Sequence, residues 1–359
     1  MKRISIFASV LLLTFSVSCS KKKAAEPVVP PVIPPPISND VTLKGSAPFP
    51  WGAAISVGLM KSNTLYNGVV TKETSSITPE NAMKFGALHP SENTYNWTDA
   101  DYLVSYAQAN GKRVHGHTLI WHNSLPNWVT NYVGDAAAWE AMFKSHIQTV
   151  VTHFKGKVAS WDVVNEAIAD DGSLRSSIWL TKIGPDYIAK AFRYAREADP
   201  DVLLFYNDYG NEYSTAKRNG IINLVTSLKN SGVPIDGIGM QMHTSTNISD
   251  SNQAAAINTA AATGLKVHIS EIEVSLNPTG NQSLTYTAAL GDAQAAKYKF
   301  IVKTYNALPA SQKYGITTWN VGDTDSWIPK TYNRPDWPLP FDYNYARKAA
   351  YQGILDGFK

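Results

Sequence analysis

The chain has 359 residues, 44% hydrophobic and 17% charged, a composition that excludes a disordered polymer, a collagen and a multi-span membrane protein. Its formal charge is +3, but five of its 32 Lys and Arg and only two of its 29 Asp and Glu fall in residues 1–40, leaving 27 of each beyond. A neutral body carries no electrostatic footprint for nucleic acid.

In chain order, a leader comes first. Lys2 and Arg3 precede an apolar run over residues 4–17, too short to span a bilayer comfortably, and residues 1–18 read as an export signal. Cys19 is the only cysteine, so disulfides take no part in stability. The segment Ser16-Val17-Ser18-Cys19 resembles a bacterial lipoprotein box, with Ser16 where Leu is more usual; this implies a lipid anchor on Cys19, against the alternative of a plain cleaved signal. Residues 19–40 then carry Lys21, Lys22 and Lys23 and six prolines, which favour an extended polyproline spacer. The expectation is an exported lipoprotein, attached to a membrane at the cell surface or facing the periplasm.

From residue 41 to 359 there is no second proline-rich break, charge block or short repeat, which predicts one domain. Apolar, β-branched runs predict strands over 51–57, 75–78, 113–121, 158–165, 202–207, 235–242, 266–272 and 314–319. Helical patterns lie between them at 136–154, 185–198, 215–231 and 293–308. Eight strand–helix units of roughly 40 residues suit an α/β (β/α)8 barrel. A doubly wound sheet competes, but no glycine-rich phosphate loop follows an early strand.

In such a barrel the chemistry belongs at the C-terminal strand ends. There the sequence places Glu80-Asn81, His117, Trp121-His122, Asn165-Glu166, Asn207-Asp208, Gln241, His243, Glu271, Glu273 and Trp319. Glu166 and Glu271 each close a mostly apolar run, and burying a carboxylate costs several kcal/mol unless it is paired. No Arg or Lys adjoins either one in sequence, which weighs against a structural ion pair. Two carboxylates without a fixed cation are equipment for cleaving a glycosidic bond. Glu271 and Glu273 share a strand face, as do Gln241 and His243, so Glu273 can hold His243 while His243 contacts Glu271. No H-E-x-x-H or similar spacing appears, so neither metal nor cofactor is expected. All ten tryptophans follow residue 50; Trp139, Trp161 and Trp179 read as core, whereas Trp121, Trp319 and Trp327 fall where flat faces could meet sugar rings.

Six segments in order then carry a resemblance: Thr78-Pro79-Glu80-Asn81-Ala82-Met83-Lys84, Gly116-His117-Thr118-Leu119-Ile120-Trp121-His122, Trp161-Asp162-Val163-Val164-Asn165-Glu166, Tyr206-Asn207-Asp208-Tyr209, Gly239-Met240-Gln241-Met242-His243 and Ser270-Glu271-Ile272-Glu273. From about Leu43 to Phe358 the chain resembles the endo-β-1,4-xylanases of glycoside hydrolase family 10. The resemblance implies a retaining enzyme acting on xylan and xylo-oligosaccharides, with Glu166 as general acid/base and Glu271 as nucleophile, in a chain expected to be monomeric. It implies that Asn165, His117, Gln241 and His243 line the subsite at the cleavage point, that Glu80, Asn81 and Lys84 bind the next sugar towards the non-reducing end, and that Trp121, Trp319 and Trp327 wall the donor side. Five positions depart from the family pattern. Asn123-Ser124 replaces Ser-Gln, Glu273 stands for Asp, Asn320 for Gly, and Ile328 for a basic residue.

Overall fold

Nine strands form in the computed structural model, which describes residues 41–359; the expected leader and spacer, Cys19 included, lie outside the described residues. They are β1 (Trp51–Ile55), β2 (Ser76–Pro79), β3 (Arg113–Gly116), β4 (Ser160–Asn165), β5 (Leu203–Asp208), β6 (Gly237–Met240), β7 (His243–Ser245), β8 (Lys266–Ser275) and β9 (Lys313–Thr318). Neighbours run β1-β2-β3-β4-β5-β6-β8-β9, and β9 pairs back onto β1 with Trp51 opposite Ile316. Every pairing is parallel, so eight strands close a (β/α)8 barrel. The short β7 lies on the upper part of β8 with His243 opposite Glu273.

Parallel neighbours need crossover connections, and helices supply them outside the barrel. The helix Tyr187–Ala198 shows why these sequences form. Tyr187, Ile188, Ala191, Phe192 and Ala195 are buried and make one stripe at helical spacing. Ile188 and Phe192 are fully enclosed and each contributes roughly 1.5–3 kcal/mol by leaving water. Side-chain caps fix several starts: Asp135 accepts from Ala138 N, Ser214 from Lys217 N, Ser249 from Asn252 N and Thr287 from Leu290 N. The Thr287 cap starts the helix Ala288–Asn306 five residues before the pattern suggests. That helix packs on Ala349–Gly357, where a side chain at Gly353 would overlap the Ala295 backbone. No helix among the described residues is long and apolar enough to cross a membrane.

All eight expected barrel strands are present, and their boundaries move at identifiable points. The run 113–121 forms a strand only to Gly116, where a Cβ would overlap the Trp161 ring; the chain then leaves the sheet and touches it again where Ile120 pairs with Val164. The run 235–242 breaks after Met240, with Met242 at φ +61°, and resumes as β7. Strand β8 extends to Ser275 because β7 offers its upper half a partner.

Candidate active site

Strand β4 delivers Asn165 and then Glu166 to the C-terminal mouth. Glu166 has φ +59°, a left-handed conformation that costs a glutamate about 1–3 kcal/mol and persists only where neighbours over-determine it. Two contacts do so: Glu166 N–H donates to the Asn207 carbonyl at 2.9 Å, and Arg175 Nε–H donates to the Glu166 carbonyl at 2.7 Å. The carboxyl receives neutral amides, with Gln241 Nε2 at 3.0 Å and Asn165 Nδ2 at 3.3 Å from Oε1. His122 Nε2 stands 3.9 Å from Oε2, and burial pushes that imidazole below its ordinary pKa.

Strand β8 presents Glu271 and Glu273 on one face, as their spacing of two requires. Glu271 accepts from Asn207 Nδ2 at 2.8 Å and from His243 Nε2 at 3.3 Å. On its other side, His243 donates from Nδ1 to Glu273 at 2.9 Å. Glu273 also accepts from Trp327 Nε1 at 2.7 Å and Ser326 Oγ at 3.2 Å. Burial opposes a charge on His243, but hydrogen bonds to Glu271 and Glu273 and their charges outweigh it, and the imidazole is pushed up to about 10. Burial likewise opposes ionisation of Glu271, yet the His243 hydrogen bond, the nearby His117 and the Asn207 amide hold it below the usual carboxylate range. For Glu273 burial prevails and its pKa is raised. The expectation of two carboxylates without a fixed cation is therefore corrected. The cation is the His243 imidazolium, invisible to a reading that counts only Lys and Arg.

Asn207 ties the halves together, its amide donating to Glu271 and, at 3.0 Å, to Asn165 Oδ1. From β2 and the loop after it come Glu80, Asn81 and Lys84, with Lys84 Nζ donating to Asn81 Oδ1 at 2.9 Å. That ammonium lies 5.3 Å from the ring centre of Trp121 and 5.7 Å from that of Trp319. Burial lowers its pKa, against the opposing pull of Glu271, Glu80 and Glu166. His117 Nδ1 sits 2.9 Å from Asp162 on β4, and its ring meets Trp319 edge-on at 5.3 Å.

These groups line one cleft of about 730 Å³ that contains Glu80, Asn81, Lys84, His117, Trp121, Asn165, Glu166, Gln241, His243, Glu271, Trp319 and Trp327. Glu273 stands behind it, fully buried. Three tyrosines absent from the expected set also line the cleft: Tyr209, Tyr213 and Tyr332. Tyr209 follows Asp208 at a strand end and was within reach of the same reasoning; Tyr213 and Tyr332 stand in loops that no periodicity marks. Trp139, Trp161 and Trp179 are buried in the core.

The departures from the family pattern find physical settings. Asn320 has φ +78°, a region that glycine enters freely and asparagine more readily than most other residues. Ser124 is exposed, does not line the cleft, and uses its carbonyl to accept from Gly86 N at 2.9 Å. Ile328 is buried in the short helix Trp327–Thr331. Among the described residues, no three His, Cys, Asp or Glu side chains are grouped to hold a metal ion.

A carboxylate beside an imidazolium, facing a second one among neutral amides across an aromatic cleft, is the equipment of a glycoside hydrolase. The sequence profile of glycosyl hydrolase family 10 matches residues 41–357, and the chain belongs to that family. It is 41% identical over 346 residues to endo-1,4-beta-xylanase A of Cellvibrio japonicus, covering 88% of this chain and 56% of that one. To endo-1,4-beta-xylanase B of Thermotoga neapolitana it is 40% identical over 292 residues, 81% of this chain and 82% of that one. Among solved structures, xylanase 10C of Cellvibrio japonicus in complex with xylopentaose superposes with a TM-score of 0.85 at 36% identity, covering 89% of this chain and 69% of that one.

Proposed function

We propose that the chain is an endo-β-1,4-xylanase that cleaves xylan with retention of anomeric configuration. One observation carries the division of labour between its carboxylates, namely the contrast in their partners. Glu271 is held ionised by the His243 imidazolium and the Asn207 amide, the state a nucleophile needs. The Glu166 carboxyl meets only the neutral amides of Gln241 and Asn165 within hydrogen-bond distance, and that difference in partners is what assigns it the acid/base role.

In the first step Glu166 protonates the glycosidic oxygen as Glu271 attacks the anomeric carbon; the C–O bond breaks, the shortened chain leaves with the proton, and a covalent glycosyl-enzyme remains. In the second, the Glu166 carboxylate takes a proton from water, the water oxygen attacks the same carbon, and Glu271 departs. Asn165, His117, Gln241 and His243 hold the sugar at the cleavage point. Glu80, Asn81 and Lys84 hold the next sugar on the donor side, and Trp121, Trp319 and Trp327 offer apolar faces to the rings. Xylan backbones are largely uncharged, which fits a body whose charges balance. The xylopentaose held by the Cellvibrio japonicus relative supports a run of xylosyl units as the substrate.

Proton NMR of the first-formed product from xylo-oligosaccharides tests the reading. The β-anomer is expected, and an initial α-anomer refutes the mechanism. Reducing-sugar release should be faster from xylan than from carboxymethylcellulose, and the reverse order would make the enzyme a glucanase. The sequence before residue 41 supports export and a lipid anchor; fatty-acid labelling lost in Cys19→Ala tests that part separately.

A further inference from the structure

Side chains alternate along β5, so Asn207 faces the barrel, where it serves Glu271 and Asn165, while Tyr206 and Asp208 face the other way. Both are fully buried, and neither lines the cleft. We propose that Tyr206 and Asp208 are positioning residues for Glu166: the phenol, held by the carboxylate, grips the backbone turn that carries the acid/base into the cleft. The proposal rests on the xylanase reading, with Glu166 as its acid, and adds two residues that substrate never touches.

Tyr206 Oη accepts from Ala167 N at 3.0 Å and from Ile168 N at 3.1 Å, and donates to Asp208 Oδ2. A hydroxyl has one proton and two lone pairs, and here all three are used. Arg175 holds the same turn by its carbonyls, giving Nε to Glu166, its backbone N to Ala167 at 2.7 Å and Nη2 to Ile168 at 3.2 Å. With Glu166 N on the Asn207 carbonyl, all six backbone polar groups of Glu166, Ala167 and Ile168 are engaged. Without the phenol, Ala167 N has no partner and Ile168 N keeps only Asp208 Oδ2 at 3.3 Å. Buried N–H groups left unpaired are costly, so a turn that already holds Glu166 at φ +59° relaxes and takes the carboxyl with it.

Asp208 sets the direction of the phenol. Its Oδ2 takes the hydroxyl proton, so the lone pairs of Tyr206 turn to the two N–H groups. Its Oδ1 accepts from Tyr209 N at 2.9 Å and faces Lys217 Nζ at 3.2 Å, an ammonium as buried as the carboxylate. Burial and the Asp208 charge keep the phenol protonated and therefore a donor. Burial also pushes the Asp208 carboxyl up to about 7, against the pull of Lys217 and the Tyr206 hydroxyl, which makes it a strong acceptor.

The test compares substrates that need the proton to different degrees. General acid catalysis is worth about 10²–10⁴-fold, and a displacement of about 1 Å can cost 10²-fold. Tyr206→Phe should therefore lower kcat/KM about 10–100-fold on xylohexaose, whose leaving group is a sugar hydroxyl. On 4-nitrophenyl β-xylobioside, whose phenolate needs little protonation, the loss should stay below about three-fold. Across aryl xylobiosides of rising leaving-group pKa, log(kcat/KM) should fall more steeply than in wild type. Asp208→Asn leaves one acceptor oxygen for the phenol, Tyr209 N and Lys217, and should show the same split at about five-fold or more; it carries the test where Tyr206→Phe does not fold. Tyr305→Phe is the control. Its buried hydroxyl, at the opposite end of the barrel, donates to the Val267 carbonyl and accepts from Gly315 N, both at 2.7 Å, so its loss should cost stability and leave the substrate ratio at the wild-type value. A split no larger than that of Tyr305→Phe, or an unchanged slope, overturns the proposal. A wild-type enzyme inactive on both substrates would instead refute the xylanase reading, and a ratio indifferent to Glu166→Ala would refute the acid assignment, so the failures are distinguishable.

Discussion

Glu273→Gln probes the wiring behind Glu271, the proposed nucleophile. The substitution preserves shape: with its carbonyl oxygen in the place of Oε2 it still accepts from Trp327 Nε1, and its amide nitrogen in the place of Oε1 donates to Ser326 Oγ, but it removes the charge that faces His243 Nδ1 at 2.9 Å. With both carboxylates present the His243 pKa lies at about 10, because Glu271 and Glu273 together overcome a burial penalty. A hydrogen bond to a charged partner is worth roughly 1.5–3 kcal/mol and one pKa unit about 1.36 kcal/mol, so losing one charge should lower the imidazole by about one to two units. Above that lowered value His243 is neutral. Its remaining Nδ1–H faces the carbonyl oxygen of the substituted side chain, and Nε2 turns a lone pair on Glu271, which loses a donor. The alkaline limb of the kcat/KM profile should therefore move down by about one to two units, while the acid limb, where His243 is protonated in both proteins, stays in place.

Rates on 4-nitrophenyl β-xylobioside from pH 4 to 10, with a parallel 15N titration of His243, provide the assay. If His243 titrates at the same pH in wild type and Glu273→Gln, the reasoning is wrong. Glu273→Asp asks the complementary question. It keeps the charge but withdraws it by about 1.5 Å, one carbon–carbon bond, and so cannot serve His243, Trp327 and Ser326 together. A pH–rate profile unmoved by Glu273→Asp would show that the longer side chain is irrelevant to the His243–Glu271 contact.

Other consequences are open to direct measurement. Glu166→Ala should reduce hydrolysis of xylan by about 10²–10⁴-fold and glycosylation by the aryl xylobioside far less, since a good leaving group needs little protonation; equal losses would count against Glu166 as the acid. Asn320→Gly should leave chemical stability within about 1 kcal/mol of wild type and Asn320→Ala should lose about 1–2 kcal/mol, because only the alanine opposes φ +78°; equal denaturation midpoints would refute the backbone argument. His146 is buried against Phe85, with ring centres 3.6 Å apart, and burial depresses its pKa well below the ordinary value. Its folded pKa lies under its unfolded one, so its contribution is complete above about pH 6.5 and is lost at about 1.4 kcal/mol per unit as pH falls below that. The stability difference between wild type and His146→Gln should shift accordingly between pH 7 and 5, and a pH-independent difference would refute the assignment.

The barrel was legible because each strand is a short β-branched apolar run that the sheet buries on both faces, and the carboxylates because they close two such runs. The boundaries that moved mark places where one glycine or one unusual φ ends regular pairing, as Gly116 and Met242 do. Arg175, which holds the backbone of Glu166, lies nine residues along an irregular loop, and nothing periodic connects the two. Glu73 receives Arg347 from 274 positions away, a contact that only the closed fold creates. The period of two placed Glu271, Glu273 and His243 correctly, but the proton on His243 depends on two distances that no pattern encodes.

One further feature of the barrel separates stability from function. Such interiors are ordinarily filled by branched apolar side chains. Here the rings of His115 on β3 and His268 on β8, strands that are not neighbours, meet at 4.7 Å, and Ser160, Asp162, Tyr314 and Thr317 share the space with them. Burial works against the Asp162 charge, yet His115 at 3.0 Å and His117 at 2.9 Å hold the carboxyl far below its ordinary range. An apolar layer of equal volume would be as stable or more so, which makes stability a weak reason for this column. Orientation is the stronger one. Asp162 engages Nδ1 of His117 and thereby fixes its ring and leaves Nε2 for the cleft. The charge buried in the barrel thus aims a donor that faces the cleft, just as the charge on Glu273 aims His243 at Glu271. In both places a histidine faces the cleft with one nitrogen because a carboxylate behind it holds the other.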